Sequence, residues 1–352
     1  MTPGHWQQIH GMGNSNLLMQ QATAAQPGTP HSAFRASYLP AQQAAAALAD
    51  PCTLAVFGFT PGSAPHDAPH WLRVPLAIQG DDRIEVWQGD SAAEHGNSGA
   101  VQWSRNAELL FTSIEVAEVD GDIEAATATA YAALSEFLSH SGYPSLLRTW
   151  NYLDAITEGD DDNERYRRFC LGRVRGLQVV NDAAMPAATC IGCFDGRRRV
   201  QVYCLSARQP GTPLENPRQV SAYAYPRQYG PQSPSFARAM LPPLTTGLPL
   251  LQSGTAAIVG HRSQHHGSVA MQLDETLTNL QSLIDHARQQ RPELAPHLGE
   301  QSLLKVYVRN PQDAAEVSLQ LQQRGLAESG FIVLHGEVCR AELLVEIEGL
   351  HG

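Results

Sequence analysis

The sequence QLDETLTNLQSLIDHA at residues 272–287 places an apolar residue at positions 273, 277, 280 and 284. This spacing puts the four side chains on one face of a helix, so the segment is predicted to be an amphipathic helix packed on a sheet. Apolar runs typical of β-strands flank it, PLLQSG at 249–254 and LLKVYV at 303–308. The unit continues with a predicted helix at 314–323 and predicted strands at 331–334 and 343–348.

An earlier part of the chain repeats this order of elements. Its predicted elements are a strand at 109–113, a helix over 123–137, a strand at 146–153, a helix at 164–171, and strands at 188–193 and 200–205 joined by a turn at Asp195–Gly196. Two units that share the order β-α-β-α-β-β indicate a duplication. Residues 209–217, which contain proline and glycine, form the predicted linker between the two units.

The predicted domain organisation therefore has three parts. Residues 1–105 are an N-terminal arm and a small β-rich region, 106–208 are a first module, and 218–352 are a second module. The first 50 or so residues are rich in Gln, Ala, Pro and Gly, so they are predicted to be a loose arm lying over the body. Short apolar runs over 52–89 are predicted strands.

Composition excludes several classes of function. The chain has 352 residues, 43% hydrophobic and 17% charged, with a formal net charge of -11, which disfavours a nucleic-acid or polybasic membrane surface. It has no apolar run long enough to span a bilayer and no secretory signal at its start. Its six cysteines are expected to be reduced thiols, and the protein is expected to be cytoplasmic.

Two acids stand out on the last predicted strand, LLVEIE at 343–348. Glu346 and Glu348 share one face of this strand because side chains alternate. A carboxyl held in an apolar cavity has a raised pKa and can act as a general acid, whereas on a solvated edge strand both would be ordinary surface acids. The first unit has Gln201 and Tyr203 at the equivalent positions, which predicts one working site per chain.

Three further groups of residues are candidates for chemistry. Cys339 precedes Glu346 by seven residues, and we predict that it lies on the neighbouring strand of a hairpin, either in the same pocket or as buried packing. Two clusters rich in Arg and Tyr, at 148–173 and 221–241, could bind carboxylates or could be aromatic loops packed on the core.

Metal binding is not predicted. The CxxC sequence at Cys190 and Cys193 lies in a predicted strand, where its two thiols would point to opposite faces, and no second ligand pair follows. The histidines at 261, 265 and 266 are expected to lie in an exposed loop.

These segments resemble a known superfamily. LLFTS, DIEAATATAYAAL and LLRTWNYL, followed by LLQSG, DETLTNLQSLI, LLKVYV and LLVEIEG, resemble the Rid (YjgF-type) proteins over roughly residues 100–352. The resemblance implies an α/β fold of the α+β type, with tandem Rid/YjgF-like (chorismate mutase-like) modules, each a mixed sheet packed on two helices. RTWNYLDAI, ERYRRFCLGR and SAYAYPRQYGP resemble the chorismatases more narrowly, in particular the bifunctional xanthomonad type that forms 3- and 4-hydroxybenzoate.

The resemblance implies a lyase that needs no cofactor and no metal. It would split chorismate into pyruvate and a hydroxybenzoate, products of use in ubiquinone and pigment biosynthesis. Glu346 matches the family's proton donor, and Cys339 is typical of members that form 3-hydroxybenzoate. The substrate-binding residues implied with them are Tyr152, Arg165, Tyr225 and Arg238.

Two other functions stay open at this level. A Rid-type imine deaminase would need an arginine on the penultimate strand, and residues 331–334 have none. A non-catalytic metabolite-binding protein is also compatible with the fold, because a fold does not determine an activity. The expected partner is a small molecule rather than nucleic acid or membrane, and the chain is expected to be a monomer or a trimer.

Overall fold

The computed structural model describes residues 34–59, 67–177, 185–327 and 330–352. Its α-helices are α1 (Ala44–Ala49), α2 (Ile123–Ser141), α3 (Arg165–Leu177), α4 (Val269–Arg288) and α5 (Ala314–Gln323). Its strands are β1 (Phe34–Pro40), β2 (Thr53–Gly58), β3 (Trp71–Arg73), β4 (Ala77–Gln79), β5 (Arg83–Gly89), β6 (Glu94–Ser98), β7 (Val101–Arg105), β8 (Leu109–Ala117), β9 (Ser145–Asp154), β10 (Ala187–Cys193), β11 (Arg199–Ala207), β12 (Thr212–Leu214), β13 (Ala239–Leu241), β14 (Leu250–Ala256), β15 (Ile258–Val259), β16 (Arg262–Ser263), β17 (Ser302–Val308), β18 (Phe331–His335) and β19 (Val345–His351).

Two of the sheets share one topology. The described residues form a first sheet of four strands, a second of six and a third of seven. Four strands of the second sheet run in the order β10-β9-β11-β8, and the corresponding strands of the third run in the order β18-β17-β19-β14. In each case the third strand of the unit pairs in parallel with the second, and the fourth pairs antiparallel with the second. This mixed α+β architecture is the predicted fold class, and the shared order supports our proposal that 106–208 and 218–352 are related modules.

The last two strands of each module do not pair with each other, so the predicted hairpin is wrong. The turn with Gly196 at φ 67° is present, but β10 and β11 lie on either side of β9 instead of forming a hairpin. In the same way β18 and β19 lie on either side of β17, so Cys339 is not on a strand next to Glu346. The helix between the second and third strands allows a parallel crossover, which places the third strand beside the second and away from the fourth.

The register of the two sheets gives the same correspondence as the sequence. Gln201 on β11 lies opposite Tyr152 on β9, and Glu346 on β19 lies opposite Tyr307 on β17. Each module therefore places its fourth strand against a tyrosine of the second strand. In the first module the position facing that tyrosine holds an amide, whereas in the second module it holds an acid.

The helices cover one face of each sheet. Asp122 accepts a hydrogen bond from the Ala125 N–H at 3.0 Å and Ser268 accepts one from Met271, so α2 and α4 both begin at a capping side chain. In the first module α3 packs directly on α2. A Cβ on Gly172 would collide with the Glu124 carbonyl and the Thr127 side chain, so only glycine permits this approach.

The N-terminal part contributes a four-stranded sheet, β1-β5-β2-β3. The predicted loose arm is therefore wrong for residues 34–49, because β1 pairs with β5 along its whole length and Phe34 is buried. The earlier part of the predicted arm lies outside the described residues. The short strand β4 leaves this sheet and extends the third sheet beside β18.

The three large sheets meet in one aromatic core. The first sheet supplies Phe57 and Trp87, the second supplies Trp150 and Tyr203, and the third supplies Tyr307. Trp150 and Tyr203 stack with ring centroids 4.6 Å apart, and Trp87 lies 5.3 Å from Trp150. Burial of so much apolar area at one junction stabilises the arrangement of the modules and so determines which side chains face each other there.

Candidate active site

A cavity of about 320 Å³ lies between the two modules. Its walls come from α3 and β10 of the first module, from β14 and residues 339–346 of the second, and from the segment 225–238. Of the predicted site residues, the structure brings Glu346, Cys339, Tyr225 and Arg238 together around this cavity. Its volume lies in the range of pockets that enclose a small metabolite.

Glu346 projects into the cavity from the interior of a sheet. It is only 5% exposed, and β19 is hydrogen-bonded on both sides, to β14 and β17. The solvated edge strand considered as an alternative is therefore excluded. Burial raises the pKa of Glu346 to about 8, and the negative charge of Glu348 adds to the rise, while Arg148 and Arg238 oppose it. This carboxyl carries a proton at neutral pH.

Glu348, two residues further on the same face, is in the opposite state. It accepts hydrogen bonds from Arg148 Nη2 at 2.5 Å, Trp150 Nε1 at 2.7 Å and the Tyr307 hydroxyl at 2.9 Å, and one from Thr189. Burial alone would raise its pKa, but Lys305, Arg148 and these hydrogen bonds outweigh burial and lower it. Two neighbouring carboxyls with pKa values moved apart are the usual arrangement of a protonated acid beside a permanent anion.

Two arginines in the wall of the cavity have no counter-ion among the residues that the structure describes. Arg238 and Arg173 are 3% and 4% exposed, and among the described residues neither has a carboxylate within 4 Å. Arg238 donates to the Tyr225 hydroxyl at 2.7 Å, Arg173 donates to Thr149 at 3.3 Å, and the Nε of each is buried without a partner. Buried cations of this kind are costly without an anion, so the cavity suits a ligand with carboxylates.

The aromatic segment 221–241 closes one side of the cavity. The guanidinium of Arg340 lies 4.0 Å from the ring centroid of Tyr229 and 5.2 Å from that of Tyr225. Arg340 also donates hydrogen bonds to the His261 carbonyl and to the Ser263 hydroxyl. These bonds hold the stacked Arg340, Tyr225 and Tyr229 side chains against the loop that contains the histidines. This cluster therefore packs on the protein through its rings while Tyr225 and Tyr229 face the cavity.

Cys339 lies in the connection between β18 and β19 and lines the cavity. Burial raises the pKa of its thiol to about 12, and the neighbouring Glu346 contributes to the rise. The side chain is thus a neutral thiol next to the protonated carboxyl, and it is poorly suited to act as a nucleophile. The predicted proximity of the two residues is present, although a loop rather than a paired strand produces it.

Tyr152 and Arg165 lie away from the cavity. The Tyr152 hydroxyl faces those of Tyr203 at 3.4 Å and Tyr307 at 3.3 Å, within the aromatic core. Arg165 forms a two-pronged ion pair with Glu118, at 2.9 and 2.5 Å, and donates from Nε to a backbone carbonyl. Their hydrogen-bonding groups are therefore used inside the protein, and we leave both out of the proposed site.

Several residues of the site were missed in the sequence. Lys305 and Thr189 contact Glu348, and Arg173 lines the cavity. A signal existed for Lys305, because a lysine interrupts the otherwise apolar strand LLKVYV and is 4% exposed in the structure. Arg173 belonged to the predicted Arg and Tyr cluster, but nothing in the sequence separated it from Arg165.

The cysteines of the CxxC sequence point to different surroundings, as predicted. Cys190 lines the cavity, whereas Cys193 lies with Asp154 and Asp195, whose ligand atoms and its own are within 4.8 Å of one another. The two carboxylates are already engaged by the Gly196 N–H, Arg198 and Arg199. In the loop of histidines, His265 pairs with Glu275 at 3.0 Å.

Comparison with known proteins gives a consistent set of relatives. The family model described as "Chorismatase FkbO/Hyg5-like, N-terminal" matches residues 85–206. The chain is 38% identical over 274 residues to a chorismatase of Streptomyces rapamycinicus, a match covering 76% of this chain and 81% of that protein. It is 34% identical over 276 residues to a 3-hydroxybenzoate synthase of Streptomyces hygroscopicus, covering 76% and 80%.

The fold gives the same relationship. A crystal structure of a chorismatase superposes with a TM-score of 0.80 at 32% identity, covering 91% of this chain and 98% of that chain.

In the part of the chain that the structure describes, no helix is both long and apolar enough to cross a membrane.

Proposed function

Because the chain belongs to the chorismatase family, we propose that it splits chorismate into pyruvate and a hydroxybenzoate by acid catalysis from Glu346. One observation carries this proposal: a carboxyl with a pKa raised to about 8 shares a cavity with two buried arginines that have no carboxylate partner in the described part of the chain. Chorismate has two carboxylates and an enol ether whose cleavage needs a proton. The cavity thus offers both the charge and the proton that this substrate requires.

The proposed step is protonation of the enolpyruvyl methylene. Glu346 gives its proton to this carbon, and the ether oxygen stabilises the oxocarbenium centre that forms. The bond between this oxygen and the ring then breaks, its electrons stay on the oxygen, and pyruvate leaves as a ketone. If the carbon that bears the ring hydroxyl loses its proton, the ring becomes aromatic as 4-hydroxybenzoate. If the oxygen of that hydroxyl instead bonds to the neighbouring carbon from which pyruvate left, its own proton is lost, and the epoxide opens with transfer of its oxygen to that carbon, which gives 3-hydroxybenzoate. Either route releases one proton overall, so no acid is consumed. Aromatisation supplies most of the driving force.

The permanent anion and the arginines have separate tasks. Glu348 is ionised and lies below the cavity, where it keeps the proton on Glu346 until the substrate is protonated. Arg238 and Arg173 would bind the two carboxylates of the substrate, and Tyr225 would orient one of them through its hydrogen bond to Arg238. Groups that are fixed before the substrate arrives lose little energy in reorganising during the reaction.

Purified protein mixed with chorismate tests the proposal, with pyruvate detected by coupling to lactate dehydrogenase. We expect pyruvate and a hydroxybenzoate in equal amounts, without added metal or cofactor. Binding of chorismate with no pyruvate would indicate a metabolite-binding protein instead. Release of ammonia from imines, with chorismate untouched, would indicate an imine deaminase.

We further propose that the products include 3-hydroxybenzoate, with 4-hydroxybenzoate as a second product as in the bifunctional xanthomonad type. The relative from Streptomyces hygroscopicus bears the name 3-hydroxybenzoate synthase, and Cys339 lies beside the proposed acid, where it can contact the ring. A neutral thiol there acts through its shape and its weak hydrogen bond rather than as a nucleophile.

Replacing Cys339 with alanine is expected to lower the share of 3-hydroxybenzoate while pyruvate release continues. Chromatography of the products measures the ratio directly. Cys190→Ala is the matched control, because it removes another half-buried thiol from the same cavity. A ratio that is unchanged in Cys339→Ala, or changed equally in both variants, would leave Cys339 as packing.

Arg238→Gln is expected to raise KM for chorismate about 10- to 30-fold, because one charge-assisted hydrogen bond to a carboxylate contributes on this scale. Arg227→Gln is the control: it lies in the same aromatic segment, but its side chain is 65% exposed and pairs with Asp162. Steady-state kinetics of both variants check the prediction. Equal KM values in the two variants would remove Arg238 from substrate binding.

A further inference from the structure

Four buried charges form a cluster beneath the cavity. Lys305 Nζ lies 2.8 Å from Glu85 and 3.3 Å from Glu348, and Arg148 lies 2.5 Å from the other oxygen of Glu348. All four side chains are no more than 4% exposed. Two cations and two anions therefore balance inside the protein, where an unpaired charge would be strongly unfavourable.

The members of this cluster come from all three large sheets. Glu85 is on β5 of the N-terminal sheet, Arg148 is on β9 of the first module, and Lys305 and Glu348 are on β17 and β19 of the second. Glu85 is itself held by the Trp87 indole N–H at 2.7 Å. The N-terminal sheet thus places the Glu85 carboxylate on Lys305, which also pairs with Glu348, the anion next to the proposed acid.

We propose that Glu85 is a positioning residue of the reaction: through Lys305 it holds Glu348 and sets the net charge beneath Glu346. This inference rests on the proposed function, since it concerns the proton that Glu346 donates. It gives the N-terminal sheet, none of whose described residues line the cavity, a part in the chemistry through Lys305.

Glu346 is surrounded by several charged and titratable groups. The charged and titratable groups around it are Glu348 on its own strand, Arg148 on β9, Arg238 before β13, Tyr307 on β17, Tyr166 of α3, Cys190 on β10 and Cys339 in the following connection. Burial and Glu348 favour the protonated form of Glu346, and the arginines favour the ionised form. Lys305 stays protonated because Glu85 and Glu348 together outweigh the effect of its burial.

Loss of the Glu85 charge should therefore act on Glu346 in a definite direction. The cluster would change from neutral to a net positive charge, which favours the ionised form of Glu346 and lowers its pKa. A general acid must carry its proton, so kcat/KM of the parent falls as the pH rises through about 8. In the variant this fall should begin at lower pH.

The experiment is the pH profile of kcat/KM for chorismate in Glu85→Gln and Glu85→Met. Each variant removes the charge, so either one that folds gives the result. We expect the alkaline limb to move down by about one pH unit, with activity close to that of the parent on the acid side. A uniform loss of activity with an unmoved limb would assign Glu85 a structural role only and overturn the proposal.

A double variant separates charge from shape. Glu85→Gln combined with Lys305→Gln removes one anion and one cation, so Arg148 and Glu348 again balance. Its alkaline limb should return towards that of the parent, and a limb left at the position of the single variant would contradict the inference. Failure of the parent itself to release pyruvate would instead contradict the proposed function, so the two failures are distinguishable.

Discussion

Replacing Glu346 with glutamine is expected to lower kcat by about 10²–10⁴-fold, while the protein folds as before. The amide keeps the size of the side chain but cannot give a proton to the substrate, and general acid catalysis contributes on this scale. The thiol of Cys339 lines the same cavity, but burial raises its pKa to about 12, so it is a much weaker proton donor near neutral pH than Glu346. Release of pyruvate under saturating chorismate measures the effect.

The same variant should be more stable than the parent at alkaline pH. The pKa of Glu346 is raised from 4.5 to about 8 in the folded protein, so this group removes stability from the parent progressively as the pH rises from 4.5 to about 8, and the loss is complete above that pH. Glutamine has no charge to bury, so the difference in the free energy of unfolding should approach about 5 kcal/mol above that pH. Thermal unfolding against pH checks this, and an inactive variant that is less stable at every pH would indicate misfolding instead.

Local sequence patterns predicted the elements of both modules because these patterns depend on which face of an element is buried. The helix α4 and the strands β9, β17 and β19 lie within a few residues of their predicted positions. The order of strands in each sheet was not predictable in this way. A strand, a glycine turn and another strand form the same pattern whether the two strands pair or lie on opposite sides of a third.

The candidate site shows the same limit at the level of side chains. The strand LLVEIE indicated two acids on one face, and the alternation of side chains is sufficient to establish that. Arg165 and Arg173 lie in one helix with similar neighbours, and only their distant partners distinguish them. Glu118, 47 residues away, neutralises Arg165, whereas Arg173 has no carboxylate partner among the described residues. Such pairings depend on tertiary structure.

The burial of Glu85 could not be predicted from the sequence, for a related reason. The run RIEVW at 83–87 is one of the apolar runs over 52–89 that predict strands, and an acid in such a strand is usually exposed. Its burial follows only from the meeting of three sheets, which brings Lys305 within 2.8 Å of it. Buried charges that balance one another across separate modules leave no pattern within either segment.

Gly254→Ala is expected to lower kcat about 100-fold or more, although the site keeps every functional group. Gly254 lies on β14 directly against the carboxyl of Glu346, and a Cβ at this position would overlap Oε1 of that carboxyl. The methyl group must push the acid out of place, and a displacement of about 1 Å from the reacting geometry costs on this scale. KM should change less than kcat, because the arginines that bind the carboxylates are unaffected.

Two controls isolate the effect of this methyl group. Gly299→Ala should have no effect, because a Cβ there meets nothing within 4 Å. The decisive test is Gly254→Ala introduced together with Glu346→Gln. If the methyl group acts by displacing the acid, it should cost little more once the acid has been removed, so the two losses should be far from additive. Losses that multiply would mean that Gly254 contributes through the sheet itself, for example through its N–H bond to Thr189 at 2.9 Å, and not through the position of Glu346.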